Sequence, residues 1–369
     1  LRAILAKVKS LLVFTILTAS TIGPGTVAMC SKAGADFKTS LLWCVLVASV
    51  VAFVLQEGAG RLTLVGGASL GEAVRAMSPA GCAARARQAL ALFVVVGGFA
   101  YECNNFSGTM DAVRLVVPDP AGQAAINVLL GPLCCVLLLG GSSERIGMML
   151  SVVVAFMIAC FAATLGGTGL PPRVADGLVP TIPEGSTEIS LALMATTSVP
   201  HNLLLSSSVA RGQTLSGLRH GVLLASFLSG VISLLIQLVG AQAPPHAAGE
   251  AFSLADVVAV IEQVIGAGGK WGFALGLFGA GVSSALTVPF ASALAVEDQE
   301  ITNVPKRRFD FRRQVLASNV AVLQSAALSS LVALEYVPGL HGRGMALPSG
   351  QNEPAGHSCA SMVVALGQK

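Results

Sequence analysis

The sequence predicts an all-α polytopic membrane protein whose first and sixth transmembrane helices are broken. Three observations predict this fold class. Of the 369 residues, 54% are hydrophobic and only 11% are charged, whereas soluble proteins carry about 25% charged residues. Nine apolar stretches are long enough to cross a bilayer, and two of them contain helix breakers at related positions. The pattern is typical of transporters built from inverted repeats.

Each predicted span contains roughly 20 mainly apolar residues, the length that a helix needs to cross the hydrocarbon core. Two shorter amphipathic stretches, 66–78 and 253–265, predict surface helices that do not span. The nine spans are 9–31, 39–57, 88–106, 123–140, 146–165, 188–210, 218–239, 271–296 and 314–334.

The distribution of Lys and Arg predicts a cytoplasmic N-terminus. With that orientation, fifteen of the 22 basic residues lie on the inner side and five on the outer side, with two in the C-terminal tail. An excess of Lys and Arg in cytoplasmic loops is the usual sign of orientation.

The first breaker is Gly23-Pro24-Gly25, in the middle of the first span, and the second is Pro200, in the polar stretch MATTSVPHNLLLSSS of the sixth. A single proline in a transmembrane helix is often only a kink. Two breaks at the first helices of two five-helix repeats instead favour unwound segments that form a substrate site, in which residues 23–26 and 197–201 are non-helical and meet.

The string GPGTVAMCSKAGADFKTSLLW, residues 23 to 43, resembles the first helix and following turn of the NRAMP divalent-metal transporter family. Further similarity lies in LQEGAGRLTLVGGASLGEAVR (55–75), in Pro200-His201-Asn202-Leu203 and in GLFGAGVSSALTVPFASALA (276–295), and it covers about residues 10 to 334. The resemblance implies the leucine-transporter-type fold and secondary active transport of a metal cation by alternating access, as a symporter.

The resemblance also implies where a substrate binds, and there the sequence departs from the family. Family members hold the metal with Asp and Asn on the first helix, and with a Met thioether and a carbonyl on the sixth. The matching positions here are Gly23, Thr26, Val199 and Thr196. Without the thioether the site loses its preference for transition metals, and without the carboxylate it lacks the charge that offsets dehydration of a divalent ion.

The expected substrate-binding residues are therefore the two broken segments, with hydroxyl and amide oxygens as the candidate metal ligands. Such a site suits a cation that keeps its water, a chelated metal or a small polar solute better than bare manganese or iron. The substrate-binding set is Gly23, Pro24, Gly25, Thr26, Thr196, Thr197 and Val199, and the metal candidates are Thr26, Thr196 and Asn202.

Glu102, Asn105 and His201 are the candidate proton-pathway residues. The resemblance places Glu102 and Asn105 where the family carries two acidic residues, and Ser206 where it carries a second histidine. A carboxylate inside a span is a functional candidate, although Glu102 at a hydrated helix end, or His201 as a structural histidine, are alternatives. Glu57 and Arg61, four residues apart, predict either a gate or a surface salt bridge.

Other function classes find no support in the sequence. No Walker motif, HExxH or nucleophile elbow is present, which argues against an enzyme, and no cofactor is indicated. A net charge of +3 does not favour nucleic acid as a partner. The expected partners are the transported cation or solute, protons and the lipid bilayer.

The C-terminal end leaves three functional readings open. Residues 1–335 form the predicted membrane domain and 336–369 an irregular tail without a tenth span, which predicts a truncated second repeat. The first reading is a metal-cation transporter with altered selectivity. The second is a transporter of an organic solute or metal chelate with the same fold, and the third is a transport-inactive membrane protein.

Overall fold

In the described residues the protein consists almost entirely of helices. The computed structural model describes residues 17–18, 20–77, 83–140, 143–197, 199–244 and 252–300. The predicted ninth span (314–334) and the C-terminal tail lie outside them. The helices are, in chain order, α1 (Pro24–Phe37), α2 (Leu42–Gly66), α3 (Leu70–Met77), α4 (Ala83–Val116), α5 (Pro120–Gly140), α6 (Ser143–Thr168), α7 (Thr187–Thr197), α8 (Pro200–Ala210), α9 (Leu215–Gly240), α10 (Leu254–Ile265) and α11 (Ala267–Glu300).

Within the described residues, α2, α9 and the segment Ala267–Pro289 of α11 are long and apolar enough to cross a membrane. Their outward faces carry large exposed apolar side chains such as Val50 and Phe227, as expected where lipid replaces water. At 14, 11 and 11 residues, α1, α7 and α8 are each too short to span alone. Each broken helix can cross only as a pair of half-helices.

Both predicted surface helices are present, as α3 and α10, and local sequence explains where they begin. Before α3, Ser69 and Glu72 form a capping box, in which the Ser69 N–H donates to Glu72 Oε2 (2.7 Å) and the Glu72 N–H donates to Ser69 Oγ (3.2 Å). Ser253 and Asp256 form the same motif before α10. The left-handed Gly67 (φ 67°) ends α2.

The core forms where α9 packs on α1 and α2 and where α11 packs on α4. Small residues permit the closest approach. A Cβ at Gly34 of α1 would overlap the backbone oxygen of Gln237 and lie 2.7 Å from the backbone nitrogen of Ala241. Glycine at such a position lets two helix backbones touch.

Between α6 and α7 an irregular segment folds over the turn that joins α1 to α2. The Trp43 indole N–H donates to the Thr181 carbonyl (2.8 Å), and the Thr39 hydroxyl donates to the Arg173 carbonyl (3.3 Å). A 3₁₀ turn at Asp176–Leu178 lies in this segment, and its Gly177 contacts the Thr39 carbonyl. Residues 169–186 thus cover the end of α1.

Candidate functional site

The two predicted helix breaks are present, and each is narrower than expected. Residues 17, 18, 20 and 21 are helical, Ile22 and Gly23 are not, and α1 begins at Pro24. In the sixth span, Val199 adopts an extended conformation (φ −83°, ψ 135°) between α7 and α8. The expectation that 23–26 and 197–201 are non-helical was wrong for Pro24, Gly25, Thr26, Thr197, Pro200 and His201. Proline fixes a helical φ and is favoured in the first turn, so each proline starts the second half-helix instead of lengthening the break.

Both breaks line one central cavity of about 30 Å³. Most of the predicted site residues contribute to it: Gly23, Gly25, Thr26, Asn105, Thr196, Val199 and His201. Pro24, Glu102 and Asn202 do not line the cavity. The structure does not describe the side chain of Thr197. The two interrupted helices therefore meet at a shared space, as expected for the first helices of two repeats.

The hydroxyls of Thr26 and Thr196 are oriented by their own backbone. Thr26 donates to the Thr21 carbonyl (3.2 Å), and Thr196 donates to the Leu193 carbonyl (3.0 Å). Because each proton is used in this way, the lone pairs of both oxygens stay available as acceptors. An oxygen acceptor with its proton turned away suits a cation or the hydrogens of water.

Sequence reasoning missed six further residues of the lining: Ser20, Thr21, Tyr101, Asn104, Ser284 and Val288. Ser20 and Thr21 directly precede the first break, and Tyr101 and Asn104 adjoin Glu102 and Asn105, so position alone could have indicated these four. Ser284 and Val288 lie in α11, 261 and 265 residues after Gly23 in the chain. They reach the cavity only because of the way α11 packs, which their sequence positions do not indicate.

Ser284 and Asn105 bring buried polar atoms to the first break. Among the described residues, Ser284 Oγ and Asn105 Nδ2 have no hydrogen-bond partner. A Cβ at Gly23 would lie 2.9 Å from Ser284 Oγ and 3.6 Å from Asn105 Oδ1. Glycine at this position thus holds the backbone against two side chains whose polar atoms are available to a bound ligand.

Among the described residues, none that lines the cavity is acidic. Across the described residues, no group of three or more His, Cys, Asp or Glu side chains is arranged to hold a metal ion. The described part of the lining thus offers hydroxyls, amides and His201, without a fixed negative charge.

Glu102 is buried on α4 with 2% of its surface exposed, so the alternative of a hydrated helix end was wrong. Its carboxylate lies near the Asn105 side chain, without a hydrogen bond of standard geometry within the described part of the chain. His201 is also buried (5%), and its ring meets the Tyr101 ring edge to face at 5.3 Å. His201 thus borders the cavity, and Glu102 lies behind it.

Asn202 joins the two broken helices behind the cavity. Its Oδ1 accepts from the Ser20 hydroxyl (3.0 Å), and its Nδ2 donates to Thr21 Oγ1 (3.3 Å). Because both ends of the amide are used, Asn202 positions the helix that precedes Gly23 against α8. This placement sets it apart from the other two candidate ligands, Thr26 and Thr196.

We expect Asn202→Ala to loosen this junction. The change removes both of these bonds, although the Ser20 and Thr21 hydroxyls keep the Leu17 carbonyl as an acceptor (2.8 Å each), so we expect a loss of about 1 kcal/mol of unfolding free energy per bond. Thermal unfolding in detergent measures the loss, and Gln213→Ala, in the turn after α8, serves as the control amide. Equal stability of the two variants would contradict the linking role of Asn202.

Glu57 is engaged by two arginines rather than one. Arg61 Nη2 lies 2.6 Å from its carboxylate, and Arg219 Nε lies 2.9 Å from it. Glu57 is 8% exposed, whereas both arginines are about half exposed (49% and 50%), so water screens much of the attraction. The pair predicted from sequence is therefore part of a contact that joins α2 to α9.

Comparisons with known proteins agree with this architecture. A family model described as "Natural resistance-associated macrophage protein-like" matches residues 15–337. The chain is 26% identical over 319 residues to the divalent metal cation transporter MntH of Mycobacterium leprae, covering 77% of this chain and 69% of that protein. It is also 26% identical over 212 residues to the metal transporter Nramp3 of Oryza sativa subsp. japonica, covering 56% of this chain and 38% of that protein.

A solved structure, the Eremococcus coleocola manganese transporter in complex with an aromatic bis-isothiourea substituted compound, superposes with a TM-score of 0.69. The alignment covers 89% of this chain and 72% of that one at 18% identity, and it confirms the predicted all-helical fold. Since the family model matches most of the sequence, the chain belongs to the natural resistance-associated macrophage protein-like family of integral multi-pass membrane proteins.

Proposed function

We propose that this protein is a secondary active transporter, and not an enzyme, that moves a divalent cation across a membrane by alternating access. The observation that carries the proposal is the single cavity lined by both helix breaks. Broken helices in inverted-repeat transporters expose backbone and side-chain groups to a substrate near the bilayer centre. The names of the relatives, which are metal transporters, support a cation as the substrate.

The cavity favours a cation that keeps part of its hydration shell. Its oxygen ligands come from neutral groups such as Thr26 and Thr196, and Val199 contributes no sulfur. Mg²⁺ prefers oxygen ligands and retains several waters, so it needs fewer protein charges than a bare transition metal. We therefore propose selectivity shifted away from manganese and towards such hard, hydrated ions.

An organic solute or a metal chelate is the second candidate, and the size of the cavity argues against it. Its volume is about 30 Å³, which admits a few water molecules. Pockets for organic ligands enclose about 300–1,000 Å³. An ion with its nearest waters requires a far smaller expansion during transport than a chelate does.

Proton coupling is proposed to be loose, with the N-terminus in the cytoplasm as the basic residues indicate. Glu102 and His201 are the titratable members of the proposed route, because Asn105 and Ser206 exchange no proton near neutral pH. With half of the ionisable groups replaced, substrate should move down its own gradient whether or not a pH difference is imposed.

We expect Glu102→Gln to flatten the pH dependence of uptake while leaving the choice of substrate unchanged, since Glu102 lies outside the cavity lining. Asp111→Asn is the matched control, because Asp111 is also a carboxylate of α4 and pairs at the surface with Arg114 (2.7 Å). Uptake at several external pH values, with a pH-sensitive dye inside the vesicles, measures both effects. An unchanged pH profile in Glu102→Gln would remove Glu102 from the route.

The proposed function is tested by reconstituting the full chain into proteoliposomes. Internal fluorescent indicators report the entry of Mg²⁺, Mn²⁺ and, in a separate arm, citrate-chelated iron, with protein-free liposomes as the control. Entry of a free divalent cation supports the proposal. Entry of the chelate alone would favour the second candidate, and no entry of any of them would favour a transport-inactive protein.

A further inference from the structure

Arg61 of α2 and Arg219 of α9 lie next to each other at one end of the helix bundle. Both donate to the same oxygen of Glu57, Oε1, from Nη2 of Arg61 (2.6 Å) and from Nε of Arg219 (2.9 Å). The two helices approach closely here, since a Cβ at Gly60 would lie 2.8 Å from Leu218 Cδ1. The shared carboxylate therefore holds the two guanidinium groups together.

This cluster of Arg61, Arg219 and Glu57 presents an excess positive charge to the outside. It contains two cations and one anion, and the anion is buried (8% exposed), whereas the two arginine side chains are 49% and 50% exposed. The bonds to Glu57 use Nε and Nη2 of Arg61 and Nε of Arg219. Both Nη groups of Arg219 and Nη1 of Arg61 are thus donors that can reach a second, external acceptor.

An exposed apolar stripe begins at Arg219 and continues along α9. Leu223 and Phe227 follow Arg219 at intervals of four residues, which places them on the same face of the helix. They are 53% and 64% exposed. Because α9 is long and apolar enough to cross a membrane, this face suits contact with lipid chains.

The same arrangement occurs on α2. Val54 and Val50 precede Arg61 by seven and eleven residues on one helix face, and they are 59% and 62% exposed. Arg61 lies five residues before the end of α2, and Arg219 lies four residues after the start of α9. Each arginine therefore stands at the end of an apolar stripe, about 6–8 Å from the helix terminus, at the depth of lipid head groups.

An anionic phospholipid has the chemistry that matches both features. Its phosphate pairs with guanidinium groups through charge-assisted hydrogen bonds, and basic sites between transmembrane helices bind such head groups. A soluble phosphate would leave the apolar stripes uncovered, and a zwitterionic lipid carries no net charge to match the cluster. We propose that an anionic phospholipid binds where α2 meets α9, with its phosphate on Arg61 and Arg219 and its acyl chains along the two stripes.

Thermal unfolding of the full chain in a neutral detergent tests this proposal, because a ligand that binds the folded state raises its stability. We expect added phosphatidylglycerol to raise the unfolding midpoint by several degrees, and phosphatidylcholine with the same acyl chains to raise it much less. Glycerol 3-phosphate, which is the phosphate without the chains, should not change it. Equal shifts with the two lipids, or an equal shift with glycerol 3-phosphate, would overturn the proposal.

A single substitution locates the site. In Arg219→Gln, Glu57 keeps both of its bonds to Arg61 Nη2, and the cluster loses its excess charge. We expect phosphatidylglycerol to bind this variant about fivefold more weakly, as counted by native mass spectrometry across a lipid titration. Arg173→Gln is the control, because Arg173 is an exposed arginine whose carbonyl accepts from Thr39 at the opposite end of α2.

The control should bind phosphatidylglycerol as the unaltered protein does. Equal weakening in Arg173→Gln and Arg219→Gln would show a general effect of net charge and would contradict the site, as would unchanged binding in Arg219→Gln. If Arg219→Gln does not fold, the comparison of the two lipids in the unaltered protein still decides.

Discussion

Replacing Gly23 by Asp and Val199 by Met should strengthen manganese binding, which we expect to be weak in the unaltered protein. The carboxylate supplies a negative charge that the described part of the cavity lining does not have, and the thioether supplies a soft ligand that favours transition metals. We expect the affinity for Mn²⁺ to rise about a hundredfold, which corresponds to about 2.7 kcal/mol. Isothermal titration of the two purified proteins measures the difference.

The structure can admit the side chain of Gly23→Asp once the Ser284 hydroxyl turns aside. A Cβ at Gly23 would approach Ser284 Oγ to 2.9 Å, and this hydroxyl has no partner in the described residues that would prevent it from rotating. Val199 is buried (3%) beside the cavity, where the flexible chain of Met can adapt. Gly23→Asn with Val199→Leu is the matched control, similar in size but without the charge and the sulfur. If this control gains as much affinity, or if the unaltered protein already binds Mn²⁺ tightly at this site, the assigned ligand roles are wrong.

Gly34→Ala should destabilise the protein strongly, because α1 and α9 touch there through their backbones. The added methyl group would meet the Gln237 carbonyl oxygen, and the Ala241 nitrogen lies 2.7 Å from the same point. Backbone atoms cannot rotate away as a side chain can, so the helices must separate, at a cost of about 1–3 kcal/mol. The thermal unfolding midpoint in detergent should fall accordingly.

The matched control is Gly58→Ala, an exposed position of α2 where a Cβ would meet no atom within 4 Å. Alanine favours the helix over glycine by up to about 1 kcal/mol, so this variant should be as stable as the unaltered protein or slightly more. Equal destabilisation by both changes would show that α1 and α9 do not approach as described.

The positions of the helix breaks could be predicted from sequence because local chemistry determines them. Gly23-Pro24-Gly25 and Pro200 interrupt apolar runs. The capping residues before α3 and α10 identify where these two helices begin. The widths of the breaks were overestimated, since the same prolines that interrupt one helix begin the next.

The contacts that complete the site depend on packing between distant segments. Arg61 could be paired with Glu57 from its spacing of four residues, but Arg219 lies 162 positions from Glu57 in the chain and reaches it only because α9 packs on α2. Asn202 was a candidate metal ligand because its amide oxygen lies close in sequence to the second helix break. Its role in joining the broken helices depends on the face of α8 that meets Ser20.

We propose that this member of the family transports a divalent cation without the usual preference for transition metals. Competition in proteoliposomes tests this selectivity: Mn²⁺ entry is measured while Mg²⁺ is added outside at increasing concentration. We expect Mg²⁺ to enter and equimolar Mg²⁺ already to reduce Mn²⁺ entry substantially, because neutral oxygen ligands do not favour the softer ion. Mn²⁺ entry that persists undiminished under a large excess of Mg²⁺ would contradict it.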